Sequence, residues 1–151
     1  MELRDAMRQD LDAIRTLVAE VAGEYGFPPE PEGADSDLYG EVDAYFGEGG
    51  MLRVLEGAGS VLGVVGVVPR TGGAWELRKI YLHGSQRGTG LGRRLLDEAL
   101  SFARDCGADR LVLQSSTKLI EALRLYEGAG FLHLDGQTRS ETCDVFMELK
   151  L

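Results

Sequence analysis

The stretch Gln86-Arg87-Gly88-Thr89-Gly90-Leu91-Gly92 decides how this sequence is read. Upstream of it, Trp75 to Leu82 has the character of a strand. Downstream, Leu91, Leu95, Leu96, Ala99, Phe102 and Ala103 recur at helical spacing. A glycine-rich loop between a strand and a helix start is a ready anion site. Gly88, Gly90 and Gly92 can adopt positive φ and let a ligand approach the backbone closely. The free N–H groups of the helix's first turn, with the helix dipole behind them, attract phosphate. Arg87, Arg93 and Arg94 add fixed positive charge, and arginine suits bidentate phosphate contact. The competing reading is a tight structural turn with solvent-facing arginines. Two phosphate-binding patterns fail here. The dinucleotide fingerprint G-x-G-x-x-G meets Arg93 where its third glycine belongs, and no G-x-x-x-x-G-K-[ST] run exists.

Working outward, the chain alternates between helical and strand periods. Leu3 opens a short edge strand. Leu11, Ile14, Leu17, Val18 and Val21 then mark a helix stopped by Gly23 and Gly26, and Pro28-Pro29-Glu30-Pro31 forces a loop. A second helix is expected through Leu38, Val42, Tyr45 and Phe46, ending at the Gly47–Gly50 cluster. Met51–Glu56 and Val61–Val68 read as a hairpin turned at Gly57-Ala58-Gly59. The nearly continuous apolar run of the second strand predicts cover on both of its faces. After the glycine loop and its helix, Gly107 sits where a C-cap glycine belongs. Arg110–Gln114 is another buried strand. Leu119, Ala122, Leu123 and Tyr126 mark a last helix closed by Gly128 and Gly130, and Phe131–Leu134 with Cys143–Leu149 form an antiparallel pair. The order predicts one mixed α/β domain over residues 1–151.

The glycine loop and its neighbours resemble the GCN5-related N-acetyltransferase (GNAT) superfamily in four places, in the correct order. Glu76-Leu77-Arg78-Lys79-Ile80-Tyr81-Leu82 looks like the family's fourth strand. Arg87, Gly90 and Gly92 match its [RQ]-x-x-G-x-[GA] pyrophosphate loop, Leu111–Leu113 its fifth strand, and Ala122 to Phe131 its A-x-x-L-Y-x-x-x-G-F signature. The resemblance implies a mixed, mostly antiparallel sheet flanked by helices, with the fourth and fifth strands splayed apart. It implies an acetyl-CoA-dependent N-acetyltransferase that works by direct attack of an amine through a tetrahedral intermediate. Acetyl-CoA would lie in the splay: backbone around Ile80, Tyr81 and Leu82 on the pantetheine, and Arg87, Gly88, Thr89, Gly90, Leu91, Gly92 and Arg93 on the pyrophosphate.

Two side chains carry the implied chemistry. Tyr126 matches the family's usual general acid; with phenol and thiol pKa values of about 10 and 8.5, stabilising the leaving thiolate is as plausible as full proton transfer. Its alternative is a core aromatic at helical spacing. Glu76 is the best candidate for the base, acting through an ordered water because an amine of pKa near 10.4 is a poor match for a carboxylate. Strand parity puts Glu76 on the face of Arg78, Ile80 and Leu82; the alternative is a solvated strand-end charge, and some relatives use water alone. The sequence departs from the family at Leu119, where many relatives carry a cofactor-contacting asparagine, and a hydroxyl from Ser116 or Thr117 is the candidate substitute.

Charge is uneven. Residues 1–50 carry thirteen acidic and three basic side chains, while residues 51–151 carry twelve and thirteen. In this family the N-terminal helices and the loop between them form much of the acceptor side, so Glu30, Glu32, Asp35, Asp37, Glu41 and Asp43 suggest a cationic small-molecule amine. Protein lysine or N-terminal acetylation, and a non-catalytic acyl-CoA-binding module, remain as alternatives. Nucleic acid is disfavoured because no concentrated basic face is evident. The isolated His83, His133, Cys106 and Cys143 argue against a metal site, and the cysteines read as small buried residues. No apolar run approaches the roughly 20 residues of a membrane span, and Met1 to Asp5 lacks a signal-peptide core, so a cytoplasmic protein is expected. A homodimer is possible, with the strand near Val145–Leu149 offering an edge.

Overall fold

Residues 1–135 and 143–151 are described by the structure, a computed structural model. The chain runs β1 (Glu2–Asp5), α1 (Leu11–Gly23), α2 (Asp43–Phe46), β2 (Met51–Gly57), β3 (Ser60–Pro69), β4 (Ala74–Leu82), α3 (Leu91–Asp105), β5 (Arg110–Ser115), α4 (Ile120–Ala129), β6 (Leu132–His133) and β7 (Val145–Lys150). The strands form one seven-stranded sheet in the order β1-β2-β3-β4-β5-β7-β6. Every pair is antiparallel except β4–β5. This is the mixed architecture that the resemblance implies.

Two apolar clusters cover the sheet's two faces. Leu11, Ile14, Leu17, Val18 and Val21 of α1 pack on Leu52, Val54, Val64 and Val68. Leu95, Leu96, Ala99, Leu100 and Ala103 of α3 pack on Met51, Leu55, Val65, Val67 and Leu113 from the other side. Strand β3 contributes alternate valines to both clusters, which is why its sequence reads as continuously apolar.

The expected second helix reduces to a 3-10 turn, Ser36–Leu38, and the single turn of α2. Asp37 lies in that 3-10 turn and is drawn into the interior, where it meets Lys79 and the hydroxyl of Tyr45. A regular helix over this stretch would give up those contacts. Gly66 makes room for the same tyrosine, since a Cβ there would stand 2.9 Å from the Tyr45 ring. Gly130, at φ 103°, ends α4, whereas Gly128 lies inside the helix. Strand β7 is no edge, because β5 flanks it on one side and β6 on the other. Among the described strands the sheet's edges are β1 and β6.

The decisive feature for the site is where pairing stops. β4 and β5 pair only from Ala74↔Arg110 to Leu77↔Leu113. Beyond Leu77, β4 keeps its partner β3 and β5 keeps β7, so the two strands part. At the same point β4 bulges: Val67 faces Leu77, and the adjacent Gly66 faces Lys79, leaving Arg78 as the extra residue.

Candidate active site

The glycine loop leads from β4 through a 3-10 turn, Gly84–Gln86, into α3, with Gly90 as the helix N-cap. Gly88 and Gly90 take φ of 75° and 80°, conformations that other L-residues adopt only at a cost. Gly92 differs from the expectation: it is helical, in the first turn of α3, and a Cβ there would make only an ordinary 3.8 Å contact with Leu125. Eight of the ten expected cofactor residues (Ile80, Tyr81, Leu82, Arg87, Gly88, Gly90, Gly92 and Arg93) line one groove that ends at the start of α3. Thr89 and Leu91 do not line it: the Thr89 hydroxyl donates to the Gln86 carbonyl at 2.5 Å, and Leu91 packs against the core. The two lining arginines are held by carboxylates, Arg87 by Glu24 at 2.7 Å and Arg93 by Asp97 at 2.9 Å.

The groove runs into the opening between β4 and β5, where Tyr126 stands on α4. Tyr126 is 5% exposed, and its ring lies 5.9 Å from that of Phe131. Its hydroxyl makes no hydrogen bond among the described residues. Burial pushes its pKa above the ordinary phenol range, so it stays a neutral hydrogen-bond donor. Tyr81 is a second phenol, half-buried, with its pKa raised through desolvation first and the Asp35 carboxylate second. Tyr81 borders the groove, the opening beside Tyr126 and the cavity beyond it.

That third space, a partly enclosed cavity of about 100 Å³, lies under the loop containing Phe27, Pro28 and Ala34. Glu76 is on its wall and only 2% exposed, so the solvated strand-end reading does not hold. Its carboxylate lies 3.5 Å from Arg70 and 4.0 Å from Arg78, and accepts a long bond from Gln114 at 3.5 Å. The parity expectation fails for a definite reason. The bulge at Arg78 inverts the alternation, so Ile80 and Leu82 join Leu77 on the α3 side. Glu76 instead shares its cavity with Lys79 and Tyr81.

The family-model match covers residues 11–131 and is described as the acetyltransferase (GNAT) family. The chain belongs to the GNAT family of N-acetyltransferases. The N-acetyltransferase YjgM of Escherichia coli K12 is 35% identical over 153 residues, 96% of this chain and 92% of its own. In fold, a GNAT acetyltransferase from Staphylococcus aureus Mu50 superposes with a TM-score of 0.90 at 16% identity, covering 99% of this chain and 98% of that one. The acetyltransferase YncA from Salmonella typhimurium, solved with its cofactor acetyl-CoA, gives 0.74 at 24% identity over 99% and 93%.

Within this GNAT frame several expectations change. Three of the six carboxylates expected on the acceptor side are ion-paired: Asp35 and Asp37 face Lys79 at 3.5 and 2.9 Å, and Asp43 faces Arg8 at 2.9 Å. Thr117, a candidate substitute for the family asparagine, gives its N–H and hydroxyl to Asp144, while Ser116 accepts from the Lys118 N–H. Ser116 lines the Glu76 cavity, not the cofactor groove. The cysteines are free and neither is buried; Cys106 is exposed and Cys143 borders the Glu76 cavity. Among the described residues no cluster of three or more His, Cys, Asp or Glu could hold a metal, and no helix is long and apolar enough to cross a membrane. Sequence reasoning missed Tyr25 and Leu125 in the groove and Arg78, Lys79 and Gln114 in the cavity. Arg78 and Lys79 carried a signal that went unread: two adjacent cations in a half-buried strand need internal partners.

Proposed function

We propose that this protein transfers the acetyl group of acetyl-CoA to the primary amine of a small molecule, within one continuous passage through the sheet. The observation that carries this reading is the parting of β4 from β5 after Leu77, which joins the glycine-loop groove to the Glu76 cavity beside Tyr126. The groove suits acetyl-CoA. Backbone along Ile80–Leu82, paired with β3 but not with β5, can meet pantetheine amides as an added strand would, and the first turn of α3 offers N–H groups to the pyrophosphate.

When bound, acetyl-CoA supplies the activated acyl group. Glu76 would take the amine's proton through water as the new N–C bond forms. Tyr126 would offer its hydroxyl to the sulfur as the C–S bond breaks, stabilising the thiolate. The cavity is partly enclosed, at about 100 Å³, and roofed by the loop bearing Phe27, Pro28 and Ala34, which favours a small acceptor over a folded protein surface. Asp35 on the cavity wall is already paired with Lys79, and Glu30 and Glu76 are the other carboxylates that line it.

The test is release of free thiol from acetyl-CoA against a panel of monoamines, amino acids, polyamines and lysine-bearing peptides, repeated with Glu76→Gln. Turnover of small monoamines that falls at least tenfold in Glu76→Gln is the expected result. Turnover of peptides alone would replace this reading with protein acetylation. Tight acetyl-CoA binding with no acceptor at all would leave a binding module.

A further inference from the structure

The bulge in β4 has an effect that a regular strand could not produce. Neighbouring side chains on a strand point to opposite faces, yet Arg78 and Lys79 both reach the carbonyl of Ala34, at 3.3 and 2.9 Å. Lys79 Nζ also lies 2.9 Å from Asp37 Oδ1 and 3.5 Å from Asp35 Oδ1. Both Lys79 and Asp37 are nearly sealed from solvent, at 2% and 1% exposed. The second oxygen of Asp37 accepts from the Tyr45 hydroxyl, and Gly66 leaves space for that ring against β3. Asp35 turns its other oxygen back to the Glu30 N–H at 3.0 Å. One end of this network therefore holds the loop that roofs the cavity, and Arg78 connects it to Glu76 at the other end.

We propose that Lys79 and Asp37 are positioning residues for the acceptor: their buried ion pair pins residues 27–38 onto the bulge and so sets the shape of the acceptor wall. This rests on reading the Glu76 cavity as the acceptor side. Within residues 27–38 Leu38 alone enters an apolar cluster, and its carbonyl accepts from Arg15 at 2.6 Å. Phe27, Pro28, Glu30, Ala34 and Asp35 face the cavity instead, so that stretch is held by Lys79 and Arg78. A pair held this deeply is costly to break from one side, because the remaining charge is stranded, whereas replacing both members with apolar groups of similar volume often preserves the fold.

The discriminating variant is accordingly the double substitution Lys79→Met with Asp37→Leu, accompanied by Asp37→Asn, which keeps the shape and weakens the pair. In the double variant, backbone amides of residues 27–38 should exchange hydrogen at least tenfold faster, while those of α3 keep the wild-type rate. The dissociation constant of acetyl-CoA should stay within twofold. With the best amine from the panel, acceptor KM should rise at least tenfold with a smaller change in kcat, and preference between amines of different size should narrow. Asp37→Asn should shift the same quantities in the same direction by less, and it carries the test if the double variant does not fold. Unchanged loop exchange in a folded variant overturns the proposal, as does acetyl-CoA affinity that falls in step with acceptor KM. A wild-type protein that turns over no amine would refute the acetyl-transfer reading alone, since the exchange measurement still decides whether the pair pins the loop.

Discussion

Replacing Tyr126 with phenylalanine separates a catalytic phenol from a packed one. The side chain is 5% exposed and its ring packs beside Phe131, but its hydroxyl has no hydrogen-bond partner among the described residues. Removing that oxygen therefore breaks no internal bond, and stability should stay within about 0.5 kcal/mol of wild type. The chemical effect should be far larger. A positioned acid contributes about 10²–10⁴ in rate, which is roughly 2.7–5.5 kcal/mol of barrier at about 1.36 kcal/mol per tenfold. Thiol release at saturating acetyl-CoA and acceptor gives kcat, and a thermal melt on the same sample gives stability. Tyr126→Phe should lose kcat by at least a hundredfold with unchanged Tm and acetyl-CoA affinity. Burial raises the pKa of Tyr126 above the phenol range, so the hydroxyl remains protonated at every pH below about 10. Any alkaline fall in kcat below that pH must come from another group and should persist in the variant. A kcat within threefold of wild type would refute the role, leaving Tyr126 as a core aromatic.

The glycine loop yields a second contrast. Gly92→Ala removes helix-disfavouring freedom at a helical position, so it should stabilise the unliganded protein by about 0.5–1 kcal/mol while weakening acetyl-CoA binding at least tenfold by calorimetry, because Gly92 lines the groove. Gly90→Ala, at φ 80°, should instead lower stability by about 1–2 kcal/mol from backbone strain alone. Glu24→Gln releases Arg87 from its 2.7 Å ion pair; acetyl-CoA should then bind severalfold more tightly, with the gain shrinking as salt is raised.

Much of the fold was legible because burial imposes simple periods. The spacing of Leu11, Ile14, Leu17, Val18 and Val21 is a helix period, and all five are buried as it requires. Strand β3 read as doubly covered, and it is. The segment from Leu38 to Phe46 failed because its apolar residues serve a loop and a single turn, held by polar contacts of Asp37 that no period reports. On the site, the glycine loop was readable from backbone demands, since positive φ at Gly88 and Gly90 leaves a mark in composition. The acceptor side was not, because charge counts record how many carboxylates exist and not whom they face.

The bulge at Arg78 shows why that blindness matters. Parity along β4 is correct up to Leu77, and one unpaired residue reverses it for everything that follows. That reversal puts Ile80 and Leu82 on the α3 side and leaves Tyr81 and Lys79 on the side of Glu76. The bulge also falls where pairing with β5 ends. A strand that must stop pairing on one side while continuing on the other has to change its twist there, and an extra residue does this locally. One irregularity thus opens the cofactor groove, turns a tyrosine toward the junction and directs two cations to the acceptor loop. Straightening it by deleting Arg78 would restore parity and should abolish acetyl-CoA binding and acceptor turnover together, whereas Lys79→Met with Asp37→Leu is expected to separate them.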